Sequence, residues 1–155
     1  MLDRIDRFWP HVLAAAVGLF IVLGLIAPGS EIIDLELAGT SENAADAMAG
    51  WDIGSARVQT AVDYVFLTIL GFGVVGALRW SLGASTPLVW LAPIAAVCDA
   101  IENAGIFVLL SAPSDPSGAV AAVTTTFAAV KFLALTGALV AFVVGVVRRR
   151  RAAPA

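Results

Sequence analysis

Residues 8–30 read FWPHVLAAAVGLFIVLGLIAPGS, a run of 23 without one charged side chain. About 20 apolar residues are enough for a helix to cross a bilayer, and a soluble domain has little use for so long an uncharged stretch. Three further runs repeat the pattern. Val58 to Leu78 is interrupted only by Asp63, Pro87 to Ser111 holds Asp99 and Glu102, and Gly118 to Val147 holds Lys131. The whole chain of 155 residues agrees, with 60% hydrophobic and 14% charged residues. Soluble domains sit near 45–50% and about 25%. Disorder is excluded by this composition. A disulfide scaffold is excluded by a single cysteine, and a nucleic-acid partner by a net charge of −3 with no basic stripe.

The expected fold is all-α: an integral membrane four-helix bundle forming one domain over 1–155. Spans are expected at about 9–28, 57–79, 87–111 and 118–147, with an outer loop at 29–56 and a cytoplasmic tail at 148–155. Arg4 and Arg7 precede the first span, Arg79 lies between the second and third, and Arg148 to Arg151 follow the fourth. The positive-inside rule makes that side cytoplasmic, so both termini are expected inside. The opposite loop is acidic, with Glu31, Asp34, Glu36, Glu42, Asp46 and Asp52 against Arg57. Trp9, Trp80 and Trp90 fall at the arginine end and Trp51 at the other, as an aromatic belt would place them. Leu25 and Pro28 suit a signal cleavage site at Ala27 badly, so the first run is read as a retained span. The terminal arginine run reads as a stop-transfer cluster that also attracts anionic lipid.

Small residues mark close helix approaches in lipid. Candidates are Ala14 with Gly18, the group Gly71, Gly73, Gly76 and Ala77, the ridge Ala92, Ala95 and Ala96, and Gly137, Ala141 and Gly145 at i, i+4, i+8. Pro93 sits inside the third span and removes one backbone hydrogen bond, so a kink is expected near Val89 to Pro93. In the loop, Ile33, Leu35 and Leu37 alternate with Asp34 and Glu36, which implies an apolar side and an acidic side. Thr40 or Ser41 resembles an N-cap of a short helix ending near Gly50, with Ala44, Ala45, Met48 and Trp51 on one face. That helix would lie in the bilayer interface or close over an opening between the spans.

The polar residues inside the spans are the candidate site. Asp99, Glu102 and Asn103 are spaced i, i+3, i+4 and share a face. Asp63, with Gln59 a turn above and Tyr64 beside it, enters from the second span; Lys131, with Thr124 two turns above, enters from the fourth. Counted along their spans, all lie between the midplane and the outer third. An unpaired charge at the bilayer centre costs at least ~2.5–3.5 kcal/mol on insertion scales. Four would exceed a small protein's stability, so they must face one another, water or a partner. Three acids and one lysine sum to −2, so at least one acid should hold a proton or a cation should be bound. The lone histidine, His11, is at the far end of the first span, and Cys98 reads as a small buried apolar residue. No metal and no cofactor is implied.

The Asp-x-x-Glu-Asn triplet, with the loop Asp34-Leu-Glu-Leu-Ala-Gly-Thr40 before it, resembles a group of small bacterial four-span membrane proteins. The resemblance implies an architecture and a bacterial inner membrane, and no particular activity. A looser likeness of site type is to the emopamil-binding and sigma-2 receptor group, whose small bundles hold buried acids.

Three functions fit the residues. A membrane enzyme would use Asp63, Asp99, Glu102 and Lys131 for acid–base work in a pocket open toward the outer leaflet, with Asn103, Tyr64, Gln59 and Thr124 orienting the substrate. Isomerisation, epoxide opening or cyclisation of a lipid or isoprenoid-like molecule would suit it. An oligomeric proton- or cation-coupled transporter or channel would use the same groups as a relay. A structural or assembly subunit would use them as glue between helices. The expected partners are membrane lipid, a hydrophobic small molecule and further copies of the chain.

Overall fold

The computed structural model describes residues 2–26, 32–83 and 85–152. The sequence readings that fall on Ala27, Pro28 and Glu31 lie outside them. Every element is helical: α1 (Leu2–Ile26), α2 (Ile32–Glu36), α3 (Ser41–Ala47), α4 (Ile53–Leu82), a 3₁₀ turn (Pro87–Trp90), α5 (Leu91–Leu109) and α6 (Gly118–Ala152). Among the described residues, three stretches are long and apolar enough to cross a membrane: Ile53–Leu82, Pro87–Leu109 and Gly118–Ala152. α6 has 35 residues, about 52 Å at 1.5 Å each. It outreaches a bilayer, and the surplus carries Arg148 to Arg151 as helix rather than as a tail.

Packing rests on small residues. The buried positions of α6 are Ala121, Thr124, Ala128, Lys131, Ala134, Ala138, Ala141 and Gly145. They recur in steps of three and four, the spacing of a coiled-coil seam. Lys131 is the one long side chain on that seam. The seam meets Ala92, Ala95, Asp99, Glu102 and Ile106 of α5, all buried. Gly73 lets Leu13 of α1 sit against α4, and Gly145 does the same for Ser81 and Leu82. Ala14 and Gly18 behave differently from expectation. Both are exposed, and nothing lies within 4 Å of where a Gly18 Cβ would stand. Ala16, 1% exposed, is buried instead.

Around Val89 to Pro93 the helix changes type, and Pro93 removes no interior α-helical hydrogen bond. A 3₁₀ turn starts at Pro87 and the α-helix begins only at Leu91, which puts Pro93 in the first turn. The N–H groups there have no partner within the helix, so a missing one costs little.

Two apolar clusters hold the ends. One joins Leu78, Ala138 and Ala141, with Phe142 against it. Beside it Trp9 packs on Trp80 at 5.5 Å and on Phe142 at 5.8 Å, and Arg149 lies 4.9 Å from the Trp80 ring. The other joins Leu35, Ala44 and Met48 to Ala56, Ile106, Leu109, Leu110 and Ala121. So α2 and α3 cap the helix ends rather than standing apart. Thr40 is the N-cap expected of α3, its Oγ1 accepting from the Asn43 N–H at 3.2 Å. The alternation through 33–37 misleads, because α2 is a helical turn. Ile33 and Leu37 are exposed while Leu35 and Glu36 are buried together. Arg57 donates to the Leu110 carbonyl at 3.0 Å, closing the C-terminal end of α5.

Two outcomes follow from this packing. Gly145→Ala should lower thermal stability in detergent, because its Cβ would stand 2.8 Å from Ser81 and Leu82, whereas Gly18→Ala should be neutral or gain up to about 1 kcal/mol. At the start of α4, the Ser55 hydroxyl and the Gly54 N–H hold the Asp52 carboxyl below its ordinary value. Its contribution to the helix start is therefore complete above about pH 4 and lost as pH falls through the lower folded value. Amide protection at Gly54 and Ser55, relative to the intrinsic rate at each pH, should fall over that window in the wild type and be low at every pH in Asp52→Ala.

Candidate functional site

Between the two apolar clusters lies a polar layer. Lys131 Nζ is 2.6 Å from Glu102 Oε1, 3.3 Å from Asp99 Oδ1 and 3.4 Å from Glu36 Oε2. Asn103 Nδ2 donates to Asp99 Oδ2 at 2.9 Å and to Asp63 Oδ2 at 3.0 Å. An amide nitrogen carries two protons, so one Asn103 bridges both carboxylates. The result is one connected chain from α2 through α6 and α5 to α4: Glu36, Lys131, Asp99, Asn103, Asp63, with Glu102 on the ammonium as well.

The layer is closed. Exposure is 1% at Asp99, 0% at Glu102, 1% at Asn103, 5% at Lys131 and 8% at Glu36. Only Asp63 is half-buried. The open acidic pocket expected from the sequence is replaced by a capped one, since α2 brings Glu36 down onto the ammonium. Irregular backbone at this depth must satisfy its polar groups internally. It does so here: Gly39 N donates to Thr125 Oγ1 at 2.9 Å, and Asn43 Nδ2 donates to the Ala38 carbonyl at 2.9 Å. Gly39 has φ +69°, the turn by which the chain leaves the layer for α3.

Five of the sequence candidates meet in this cluster: Asp63, Asp99, Glu102, Asn103 and Lys131. The remaining three stand at its edge. Tyr64 turns its hydroxyl to the Ala100 carbonyl at 2.9 Å and stacks on Phe107 at 6.4 Å. It ties α4 to α5 rather than pointing inward. Gln59 is half-buried on α4, with a contact of its own. Thr124 is fully buried and its Oγ1 packs on Gly105, where a Cβ would collide with it. Thr124 Oγ1 and Glu102 Oε2 are the buried side-chain polar atoms that lack a hydrogen-bond partner among the described residues. Glu36 is the functional candidate that sequence reasoning missed. Read with a helical period, Ile32, Leu35 and Glu36 share one face, which was the available signal.

Geometry limits the chemistry. Four carboxyls and one amine carry −3 if all are ionised, in a layer shielded from water, where desolvation of each charge costs several kcal/mol. The ionised forms therefore repel one another, and a proton shared among the carboxyls lowers that cost. The ammonium at its centre neutralises only one carboxylate.

Set against protein-family models, curated proteins and solved structures, the chain matches none.

Lys131→Met should destabilise the bundle by about 3–5 kcal/mol, because it strands buried carboxylates. Adding Asp99→Asn should recover only part of that loss, since Glu36 and Glu102 still face the same space. Unfolding in mixed micelles measures both. Full recovery in the double variant would reduce the cluster to a single structural pair.

Proposed function

We propose that this is a multi-pass membrane enzyme that performs acid–base chemistry on a lipid or isoprenoid-like molecule. The observation that carries the reading is one buried ammonium shared by three carboxylates and linked through Asn103 to a fourth. Glue between helices needs one balanced pair. An excess of carboxyls around one amine supplies both a proton donor and a proton acceptor, as general acid–base catalysis requires. The layer lies within helices long and apolar enough to cross a membrane, so a molecule reaching it laterally arrives from lipid.

In this reading α1 is the first of four spans. Arginines at one end of the bundle put both termini in the cytoplasm, in the inner membrane of a bacterium. The capped end, with α2 and α3, lies at the outer leaflet. Asp99 and Glu102 are the acids, Asp63 is the base, and Lys131 and Asn103 hold the charge between them. In a double-bond isomerisation, a carboxyl donates a proton to one alkene carbon and a carboxylate removes one from the carbon beyond the other alkene carbon, so the double bond moves one place. The cluster ends with as many protons as it began.

That balance makes the reading testable without a known substrate. Purified protein is incubated in D2O with a polar bacterial lipid extract, and the lipids are weighed by mass spectrometry. Deuterium should enter the carbon skeleton of one lipid class, and Asp99→Asn should slow it by about 10²-fold or more. No incorporation above a protein-free control, or equal incorporation by the variant, overturns the proposal.

A further inference from the structure

The face between α4 and α5 carries a continuous groove. At the arginine end it is a cleft of about 530 Å³ lined by Arg79, Ser85, Thr86 and Trp90, with Val75 and Pro93 at its inner edge. Those last two also line the next section, about 250 Å³, where Thr68, Gly71, Ala92 and Ala96 form the walls. Gly71, Ala92 and Ala96 then continue into a slot of about 10 Å³ that ends at Ala95 and Leu135. Ala95 is one turn before Asp99 and Leu135 one turn after Lys131. The groove therefore runs from the end of the helices to directly beneath the polar layer.

Its two ends differ in chemistry. The wide end offers a guanidinium, two hydroxyl-bearing residues on the turn after Gly83, and a tryptophan that is 68% exposed. Arg79 already has a contact within the chain, and a guanidinium has donors for more than one partner. The rest of the groove is apolar. Thr68, its lone hydroxyl, donates to the Tyr64 carbonyl at 2.8 Å. From Arg79 to Thr68 along α4 the helix rises about 16 Å, which is one leaflet of a hydrocarbon core about 30 Å thick.

We infer that this groove binds a phosphate-headed membrane lipid. Arg79 and the Ser85–Thr86 turn take the phosphate at the interface, and one chain lies along Gly71, Ala92 and Ala96. The head chemistry is that of an interfacial site, where an arginine fork and an aromatic ring are favoured. The length matches one leaflet, and the walls of the middle section, about 250 Å³, are mostly small apolar residues. A lipid so held points the far end of its chain, not its head, toward the polar layer, and the slot of about 10 Å³ between them must widen before the chain meets Asp99 and Lys131. That last step rests on the acid–base reading; the binding does not.

Intact-mass spectrometry of the delipidated protein in detergent tests the binding without turnover. Phosphatidylglycerol and a diacylglycerol with the same chains are titrated separately. One phosphatidylglycerol should be retained about tenfold more tightly than diacylglycerol. Arg79→Gln should abolish that preference, while Arg150→Gln with Arg151→Gln, outside the groove, should preserve it. Ala96→Phe should release both lipids; if its melting shows misfolding, Gly71→Leu fills the groove from the opposite wall. Equal retention of the two lipids, an unchanged preference in Arg79→Gln, or full retention in a folded filled variant overturns the inference. Failed deuterium exchange with intact lipid retention would remove the chemistry and leave the site standing.

Discussion

One buried ammonium organises this protein. Lys131 rises from a seam of alanines, threonine and glycine on α6 and meets carboxylates from α2 and α5, and through Asp99 and Asn103 one from α4. In a low-dielectric layer none of these groups can be left alone. The constraint fixes the relative height of the helices, because a shift of one turn on α6 would move Nζ by about 5.4 Å and part every contact. The small seam residues permit the close approach, and the polar layer selects which close approach is used.

The same constraint explains the cap. A five-residue helix has no stability of its own. α2 is held by Leu35 in the apolar cluster of Ile106, Leu109 and Ala121, by Glu36 on Lys131, and by the Gly39–Thr125 bond that follows it. Apolar burial and ion pairing thus act on adjacent residues of one turn. The segment also carries the link between the cap and the catalytic candidates. Any motion that opens the layer toward the capped end must break the Glu36 contact and expose Leu35 together.

Much of this was legible beforehand. The apolar runs are long, and charges inside them are few, so the membrane-spanning helices and the meeting of Asp63, Asp99, Glu102, Asn103 and Lys131 follow from depth and helical spacing. Thr40 announced α3 because N-capping is a local interaction. The errors share a cause as well. Ala14 with Gly18 and Gly137 with Gly145 look alike in sequence, yet only a partner decides whether a small residue is packed or bare. Pro93 looks interior to an apolar run, yet the α-helix starts at Leu91, which puts it in a first turn. Glu36 sits in a short segment where periods of 2 and 3.6 compete, and tertiary contacts chose the helical one.

The sequence alone determined that the chain carries helices long and apolar enough to cross a membrane and that its interior charges must find one another, because desolvation leaves them no other low-energy arrangement. It also determined which face of each span those charges occupy, since helical spacing is a local property. Only the tertiary structure decided that a loop acid joins them, that Tyr64 ties helices instead of lining the layer, and that a groove leads beneath it from the arginine end. Those are contacts between segments far apart in the chain, and neither periodicity nor capping carries information about them.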